Sequence, residues 1–124
     1  MAEERPKPGG SRDLLVWQKG IQLAKAIYIL TKSFPAEERY ALTSQLRRPA
    51  ISVPSNIAEG QARHTTGEFI QFIGYAEGSL AEIDTQLVIA SEVGITMSGA
   101  TDQIAEQVQE LRRMLNALRR KLDA

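Results

Sequence analysis

Residues 44–63 read SQLRRPAISVPSNIAEGQAR, and apolar residues at helical spacing continue through two prolines in this stretch. A proline inside a helix removes one N–H donor and crowds the carbonyl group four residues earlier, at a cost of about 3 kcal/mol. Pro49 and Pro54 should therefore each bend or break the helix. The spacing of three and four residues nevertheless predicts one buried helix face, made by Leu42, Leu46, Ala50, Val53 and Ile57.

Short polar side chains lie close to the second proline and can compensate for the lost hydrogen bonds, either directly or through a water molecule that they hold. These side chains belong to Ser52, Ser55 and Asn56. We therefore predict a second helix that is kinked at Pro54. The alternative is a pair of shorter helices, with Pro49 at the first position of the second one, where proline is well tolerated.

Three motifs lie along the chain: Ser52-Val-Pro54-Ser55-Asn56-Ile57-Ala58-Glu59-Gly60 followed by Arg63, Phe34-Pro35-x-x-Glu38-Arg39-Tyr40, and Gly78-Ser79-Leu80-x-Glu82. Over about residues 13–122, the chain that carries them closely resembles the four helix bundle protein family. This family is also known as the large-subunit ribosomal RNA intervening-sequence proteins. The resemblance implies an up-and-down four-helix bundle, an assembly of five identical subunits and no known catalytic activity. Proteins of the same general fold serve as RNA-binding accessory factors to reverse transcriptases in diversity-generating retroelements.

The composition indicates a single soluble domain. The chain has 124 residues and no cysteine, so it is long enough for one hydrophobic core and has no disulfide or thiolate chemistry. Because no apolar run approaches the roughly 20 residues of a membrane span and the N-terminus lacks the apolar segment of a signal peptide, we expect a cytoplasmic protein with no membrane partner. Residues 1–12 carry little apolar surface, which predicts a mobile N-terminal arm before a bundle at 13–124.

The formal net charge is zero, but the charges are distributed unevenly. Residues 1–64 contain ten basic residues (Lys or Arg) and six acidic residues (Asp or Glu), which gives a charge of +4. Residues 65–110 contain no basic residue and eight acidic ones, a charge of −8. Residues 111–124 contain five basic residues and one acidic residue, a charge of +4. This alternation suits antiparallel neighbouring helices whose opposite charges face each other. It also leaves open a basic surface for phosphate.

The first helix is predicted over about 13–32, with Asp13 as its N-cap. Its apolar stripe is expected at Leu14, Trp17, Ile21, Ala24 and Tyr28, widened by Leu23, Ile27 and Leu30. Trp17 is therefore interpreted as a core residue. Pro35 should open the second helix, with Glu37 and Glu38 in a first turn where the helix dipole favours anions.

The third helix is predicted over about 66–91, ended by Gly94, and it has two uncharged sides. One side carries the apolar residues Phe69, Phe72, Ile73, Ala76, Leu80, Ile83 and Leu87. The nearly opposite side carries the small residues Gly67, Gly74, Gly78, Ala81 and Thr85. Because each interior glycine costs about 1 kcal/mol relative to alanine, we interpret the small side as a contact where a second copy approaches closely. The alternative is a flexible face exposed to solvent.

The fourth helix is predicted over about 101–122 from the alternating spacing of four and three residues at Ile104, Val108, Leu111, Leu115, Leu118 and Leu122. This spacing is typical of near-antiparallel packing at about 20°. Short loops and the absence of a strand pattern complete an all-α prediction, an antiparallel up-and-down four-helix bundle.

No known catalytic or metal-binding pattern occurs in the sequence. The only histidine is His64, whereas a di-metal carboxylate bundle needs paired Glu-x-x-His motifs and zinc sites need several His or Cys ligands. Glu59 is better explained by pairing with Arg63 at the i,i+4 spacing than as a buried base. We therefore expect no enzyme and no cofactor.

Two functional classes remain. The first is an oligomeric RNA-associated factor, or a partner of a nucleic-acid-acting protein, in which cations contact phosphates: Arg47, Arg48, Arg63, Arg112, Arg113, Arg119, Arg120 and Lys121. Base recognition by stacking is not expected, because Trp17, Phe69 and Phe72 fall on core stripes. The second class is a homo-oligomeric adaptor or scaffold that binds a protein partner through the bundle ends or the N-terminal arm.

Overall fold

The computed structural model describes residues 10–124, except for the side chains of residues 12 and 13. Within this range it consists of four α-helices without any strand, which confirms the all-α prediction. The helices are α1 (Leu15–Lys32), α2 (Ser44–Gln61), α3 (Thr66–Glu92) and α4 (Asp102–Asp123). Each helix packs against the next one along the chain, and α4 also packs against α1.

The two prolines lie inside one α-helix, α2, and both are buried. The alternative of two shorter helices is therefore not what the chain adopts, while the kink at Pro54 stays a prediction. Four of the five predicted face residues, Leu46, Ala50, Val53 and Ile57, are fully buried, and Leu42 is partly buried against the core. A Cβ atom added to Gly20 of α1 would lie 3.3 Å from Cβ of Pro54. The glycine thus makes room for the proline ring between the two helices.

The start of α1 differs from the prediction. Its N-cap is Leu14, which makes no side-chain cap hydrogen bond, and the four residues before it form a 3₁₀ turn at Gly10–Asp13. The backbone N–H of Leu14 donates to the carbonyl oxygen of Ser11 at 3.0 Å, which closes this turn. Residues 1–9 of the predicted arm lie outside the described residues.

The buried face of α1 is turned relative to the predicted stripe. It runs through Val16, Gly20, Leu23, Ile27 and Thr31, whereas Trp17 and Ala24 are only partly buried. Threonine fits this apolar position because its hydroxyl donates to the carbonyl oxygen of Ile27 at 2.8 Å, which satisfies the buried oxygen. The helical spacing had placed Trp17 on the stripe and Leu23 and Ile27 at its edge.

Two short irregular turns connect α1 to α2. Pro35 is the N-cap of a 3₁₀ helix at Ala36–Glu38, and a π-helical turn at Arg39–Thr43 follows. The prediction that Pro35 opens the second helix is therefore wrong, because α2 begins only at Ser44. The carboxylate of Glu38 accepts a hydrogen bond from the backbone N–H of Leu42 at 3.3 Å and so stabilises the wider turn.

The ends of α3 follow standard capping geometry. The Thr65 hydroxyl accepts a hydrogen bond from the backbone N–H of Glu68 at 3.2 Å, as an N-cap residue does. At the other end Gly94 has φ +77°, and the N–H groups of Gly94 and Ile95 donate to Ser91 and Ala90. This is the Schellman arrangement, with glycine at the left-handed position. Gly94 thus ends the helix as predicted.

Candidate nucleic-acid interface

The buried seam of α4 determines which of its side chains face outward. Ile104, Val108, Leu111 and Leu115 are buried against the other helices, and Leu118 and Leu122 are partly buried at the end of the seam. The remaining positions carry charge of changing sign along the helix. The first half exposes the acidic residues Asp102, Glu106 and Glu110, and the second half exposes the basic residues Arg112, Arg113, Arg120 and Lys121.

We call Arg112, Arg113, Arg120 and Lys121 the α4 basic surface. Among residues 10–124 no ion pair or hydrogen bond is recorded for their side chains. Arg112 and Arg113 also line an open depression of about 400 Å³ between α4 and α3, which is lined further by Glu77, Gln109 and Asn116. Guanidinium groups in such a depression can approach phosphate oxygens with paired hydrogen bonds.

Arg119 belongs to the predicted set but is held by the fold. It forms a salt bridge to Glu77 of α3, and each side chain is about 30% exposed, at 31% and 30%. One guanidinium nitrogen lies 3.7 Å from the place that a Cβ atom of Gly74 would occupy. A second ion pair joins Lys19 of α1 to Glu110 of α4 at 3.3 Å. Oppositely charged side chains therefore pair between neighbouring helices, as the charge distribution had suggested.

Arg63, at the turn between α2 and α3, is also engaged. It pairs with Glu59 at 2.8 Å and with Glu68 at 3.9 Å. Its guanidinium carbon lies 4.7 Å from the centre of the Phe72 ring, a distance at which a cation is attracted to the ring face. The predicted Glu59–Arg63 pair is thus present, and Arg63 has partners inside the protein for its charge.

Arg47 is fixed against the end of α1. Its Nε atom donates to the Thr31 hydroxyl at 2.8 Å, and its guanidinium carbon lies 4.4 Å from the centre of the Tyr28 ring. The neighbouring Arg48 is exposed. A depression at the same end of α1 is lined by Ile29 and Leu30 together with Gln103 and Ile104, which lie at the start of α4. Arg47 and Arg48 therefore lie toward the beginning of α4, and the fold does not bring them together with Arg120 and Lys121.

The predicted structural motif forms a polar network between α2 and α3. The Asn56 amide nitrogen donates to the carbonyl oxygen of Ser52 at 2.9 Å and to its hydroxyl at 2.8 Å. The Ser79 hydroxyl of α3 donates to the Ser52 hydroxyl at 3.0 Å. Asn56 thus bonds the carbonyl of its own turn and not one of those that the prolines leave without an N–H. Ser55 is exposed and does not belong to this network.

Gly60 and Pro54 of the motif have steric roles at neighbouring contacts. A Cβ atom at Gly60 would lie 2.6 Å from Cβ of Phe72 and 3.0 Å from Cδ1 of Phe69, so only glycine allows α2 to approach α3 this closely. Pro54 faces Gly20 of α1. Pro54 and Gly60 thus set how closely α2 approaches α1 and α3.

The small side of α3 is largely open. Gly67, Gly78, Ala81 and Thr85 are exposed, whereas Gly74 is partly covered. A Cβ atom added to Gly67 or Gly78 would meet nothing within 4 Å. An open depression of about 390 Å³ runs along this side, and apolar Ile89 lines its far end. Val88 and Tyr75 are also about half exposed on α3, at 55% and 50%.

Sequence reasoning did not consider one exposed aromatic residue. Tyr40 is 88% exposed at the π-helical turn. Tyr40 belongs to the Glu38-Arg39-Tyr40 motif, but the expectation that no base stacks on the protein was based only on Trp17, Phe69 and Phe72. A tyrosine beside an arginine outside any apolar periodicity was the available signal.

Residues 10–124 contain neither a metal-binding cluster nor a membrane-spanning helix. This part of the chain has no cluster of three or more His, Cys, Asp or Glu side chains able to hold a metal ion. None of its helices combines the length and the apolar character that crossing a bilayer requires.

Comparison with known proteins identifies the family. The model of the 23S rRNA-intervening sequence protein family matches residues 12–117, and the chain belongs to this family. A crystal structure from Bacteroides thetaiotaomicron, described as a protein of unknown function from the S23 ribosomal protein family, is similar with a TM-score of 0.76 and 21% identity. The match covers 84% of this chain and 97% of that one. At this identity the likeness concerns the fold alone. No curated protein matches the chain.

Proposed function

We propose that this protein is a non-enzymatic, homo-oligomeric RNA-associated accessory factor whose α4 basic surface contacts phosphates. The observation that supports it most is that four exposed cations on the second half of α4 have no ion-pair partner among the described residues. Arg119, on the same half of the helix, is paired with Glu77 and serves the fold. Membership in a family described by an rRNA intervening sequence supports RNA as the source of the phosphates.

The chain's zero net charge does not oppose this proposal, because phosphate binding depends on local charge. The acidic side chains of α3 and of the first half of α4 are partly used in pairs with Arg63, Arg119 and Lys19. The α4 basic surface therefore keeps its field toward solvent. Each phosphate contact releases condensed counterions from the RNA, so the affinity should fall steeply as salt rises. A few contacts per subunit become appreciable when an oligomer presents several copies.

The subunit is proposed to be an up-and-down bundle in which neighbouring helices run antiparallel. The contacts between neighbouring helices support this order, because residues later in one helix contact residues earlier in the next. Gly20 of α1 faces Pro54 of α2, and Thr31 of α1 bonds Arg47 of α2. In the same way, Ser52 meets Ser79 while the later residue Gly60 meets the earlier residue Phe72. The proposed kink at Pro54 rests on the absence of an N–H donor at that position.

The subunits are proposed to associate through the small side of α3, at Gly67, Gly74, Gly78, Ala81 and Thr85. The open space over Gly78 and the exposed Val88 and Ile89 support this proposal, since an exposed apolar surface is often an interaction site. The number of five subunits comes from the family resemblance.

A pair of double variants tests the RNA proposal. Arg112→Gln with Arg113→Gln should weaken binding to an RNA stem-loop and lower the slope of log K against log salt by about 1.4 to 1.8, as expected for two lost phosphate contacts. Lys25→Gln with Lys32→Gln removes the same charge from exposed positions on α1 and should change the slope much less. Equal effects of the two double variants would indicate binding by overall charge and would contradict the assignment to α4.

A second candidate is the adaptor that binds a protein partner. The observation that favours it is an apolar depression of about 330 Å³ between α1 and α2, lined by Trp17, Ile21, Ala24, Ile51, Pro54, Ser55 and Ala58. A protein partner seated there would bury apolar surface, and its affinity would respond much less to salt than a phosphate contact. Absence of RNA binding by the unaltered protein at low salt would favour this candidate.

A further inference from the structure

The turn before α2 holds an aromatic ring out in solvent. Tyr40 is 88% exposed and lies in the π-helical turn Arg39–Thr43. Hydrogen bonds on both sides fix the backbone of this turn. The Glu38 carboxylate accepts from the N–H of Leu42 at 3.3 Å, and the Ser44 hydroxyl donates to the carbonyl oxygen of Ala41 at 3.2 Å. The ring is therefore presented by an ordered segment without being packed against the core.

Exposed cations lie close to this ring along the chain. Arg39 precedes it and is exposed, and Ser44 and Arg48 follow at intervals of four residues and are also exposed. The backbone at Ala41 is not helical, so Arg39 and Tyr40 belong to the turn before this point, while Arg48 lies in α2. Arg47 lies beside them with its Nε atom committed to Thr31. We call Arg39, Tyr40 and Arg48 the Tyr40 corner.

Acidic side chains do little to cancel this local charge. Residues 39–48 contain three arginines and no acidic residue. Of the two acidic residues just before them, Glu38 is turned toward the backbone of the π-helical turn, and only Glu37 is exposed. The corner thus combines a free aromatic face with a positive field, a pairing that matches a nucleotide, whose base stacks while its phosphate carries negative charge.

We infer that the Tyr40 corner binds single-stranded RNA, with an unpaired base stacked on Tyr40 and the adjacent phosphates held by Arg39 and Arg48. The inference rests on the proposed RNA association and names the form of RNA. Bases inside a duplex are stacked on one another, so Tyr40 can engage only loops, bulges or free ends. The corner lies toward the beginning of α4, where Arg47 meets Tyr28 and Thr31, and so forms a contact separate from the α4 basic surface.

The test measures binding of a labelled oligouridine and of an RNA duplex of equal length to the full chain. Tyr40→Ala should weaken binding of the single strand about tenfold or more, as expected for one lost stacked base. It should change duplex binding less than about twofold, because duplex contacts do not use the ring. Tyr40→Phe keeps the ring and should restore single-strand affinity.

Met97→Ala is the matched control, since Met97 is 83% exposed and has no aromatic face. It should leave both affinities unchanged. Unaltered single-strand binding by Tyr40→Ala would overturn the inference, while the proposed function would stand if the Arg112 and Arg113 variant still lost affinity. An equal loss for single strand and duplex would show that no stacking is involved. A reduced oligomer mass for Tyr40→Ala would assign the ring to a protein contact, and no RNA binding by the unaltered chain would overturn both proposals.

Discussion

The contact between α2 and α3 and the outer side of α4 use polar residues in opposite ways. At the contact, Asn56 and Ser79 both bond Ser52, and Gly60 allows Phe72 to approach. On the outer side of α4, by contrast, four cations have no recorded partner among residues 10–124. The first region is explained by the fold alone. The second is not, and it is the basis of the RNA proposal.

The largest effect is expected at Gly60. A leucine there would carry its Cβ into Cβ of Phe72, which lies only 2.6 Å from the required position and is attached directly to the backbone of α3. Because Phe72 cannot turn away by changing a rotamer, the helices must separate, at about 3 kcal/mol or more for overpacking. The free energy of unfolding of Gly60→Leu, measured by urea titration, should fall by that amount. Unchanged stability would mean that α2 and α3 do not approach closely at this glycine.

A smaller loss is expected when the polar network between the helices is broken. Asn56→Leu removes the amide that bonds the carbonyl oxygen and the hydroxyl of Ser52. Each of the two lost hydrogen bonds contributes about 0.5 to 1.5 kcal/mol to stability. Thermal unfolding should therefore occur at a lower temperature than in the parent, whereas Ser55→Leu at an exposed position should change it little. Similar melting of the two variants would contradict a role for the network.

Two arginines of α4 allow a finer comparison. Arg119→Gln removes the partner of Glu77 and should lower the free energy of unfolding by up to about 1 kcal/mol, the usual range for an exposed pair. Arg112→Gln removes a cation without a recorded partner and should cost less than about 0.5 kcal/mol. RNA affinity should show the reverse order, with the larger loss at Arg112. If one variant lost both stability and affinity more than the other, the division of the arginines into two groups would fail.

The smallest effect on the subunit's own fold is expected at Gly78, where an added Cβ meets nothing within 4 Å. Gly78→Leu should keep the helix content seen by circular dichroism, in contrast to Gly60→Leu. If the small side of α3 is the subunit contact, the same variant should reduce the mass seen by light scattering from several times 13.7 kDa toward that of one chain. A monomeric parent protein would contradict the oligomer proposal, and an unchanged oligomer mass in the variant would place the contact elsewhere.

Apolar periodicity predicted the parts of the fold that depend on one helix at a time. The seams of α3 and α4 and the face of α2 follow from spacing alone, and Gly94 ends α3 because only glycine readily adopts its left-handed conformation. The buried face of α1 depends on its neighbours. Gly20 faces Pro54 of α2, and the Thr31 hydroxyl accepts a hydrogen bond from Arg47 of α2, and neither partner can be read from the sequence of α1.

The division of the arginines was also beyond the sequence. Arg119 and Arg120 are identical neighbours, but successive helix positions point about 100° apart, and only the first reaches Glu77. Which of them pairs depends on how α4 is turned toward α3. The π-helical turn that exposes Tyr40 has no apolar period to indicate it, and the polar partner of Asn56 depends on local geometry within α2.

The salt dependence of RNA binding tests the central claim most directly. The parent chain and a variant with Gln at positions 112, 113, 120 and 121 are titrated with one RNA stem-loop between about 50 and 300 mM salt, with circular dichroism as the check on folding. Four lost phosphate contacts should lower the slope of log K against log salt by about 3 for each subunit that engages the RNA. We predict a steep slope for the parent and a much flatter one for the folded variant. The same slope for both proteins, or no binding by the parent at the lowest salt, would contradict the claim that the α4 basic surface binds RNA.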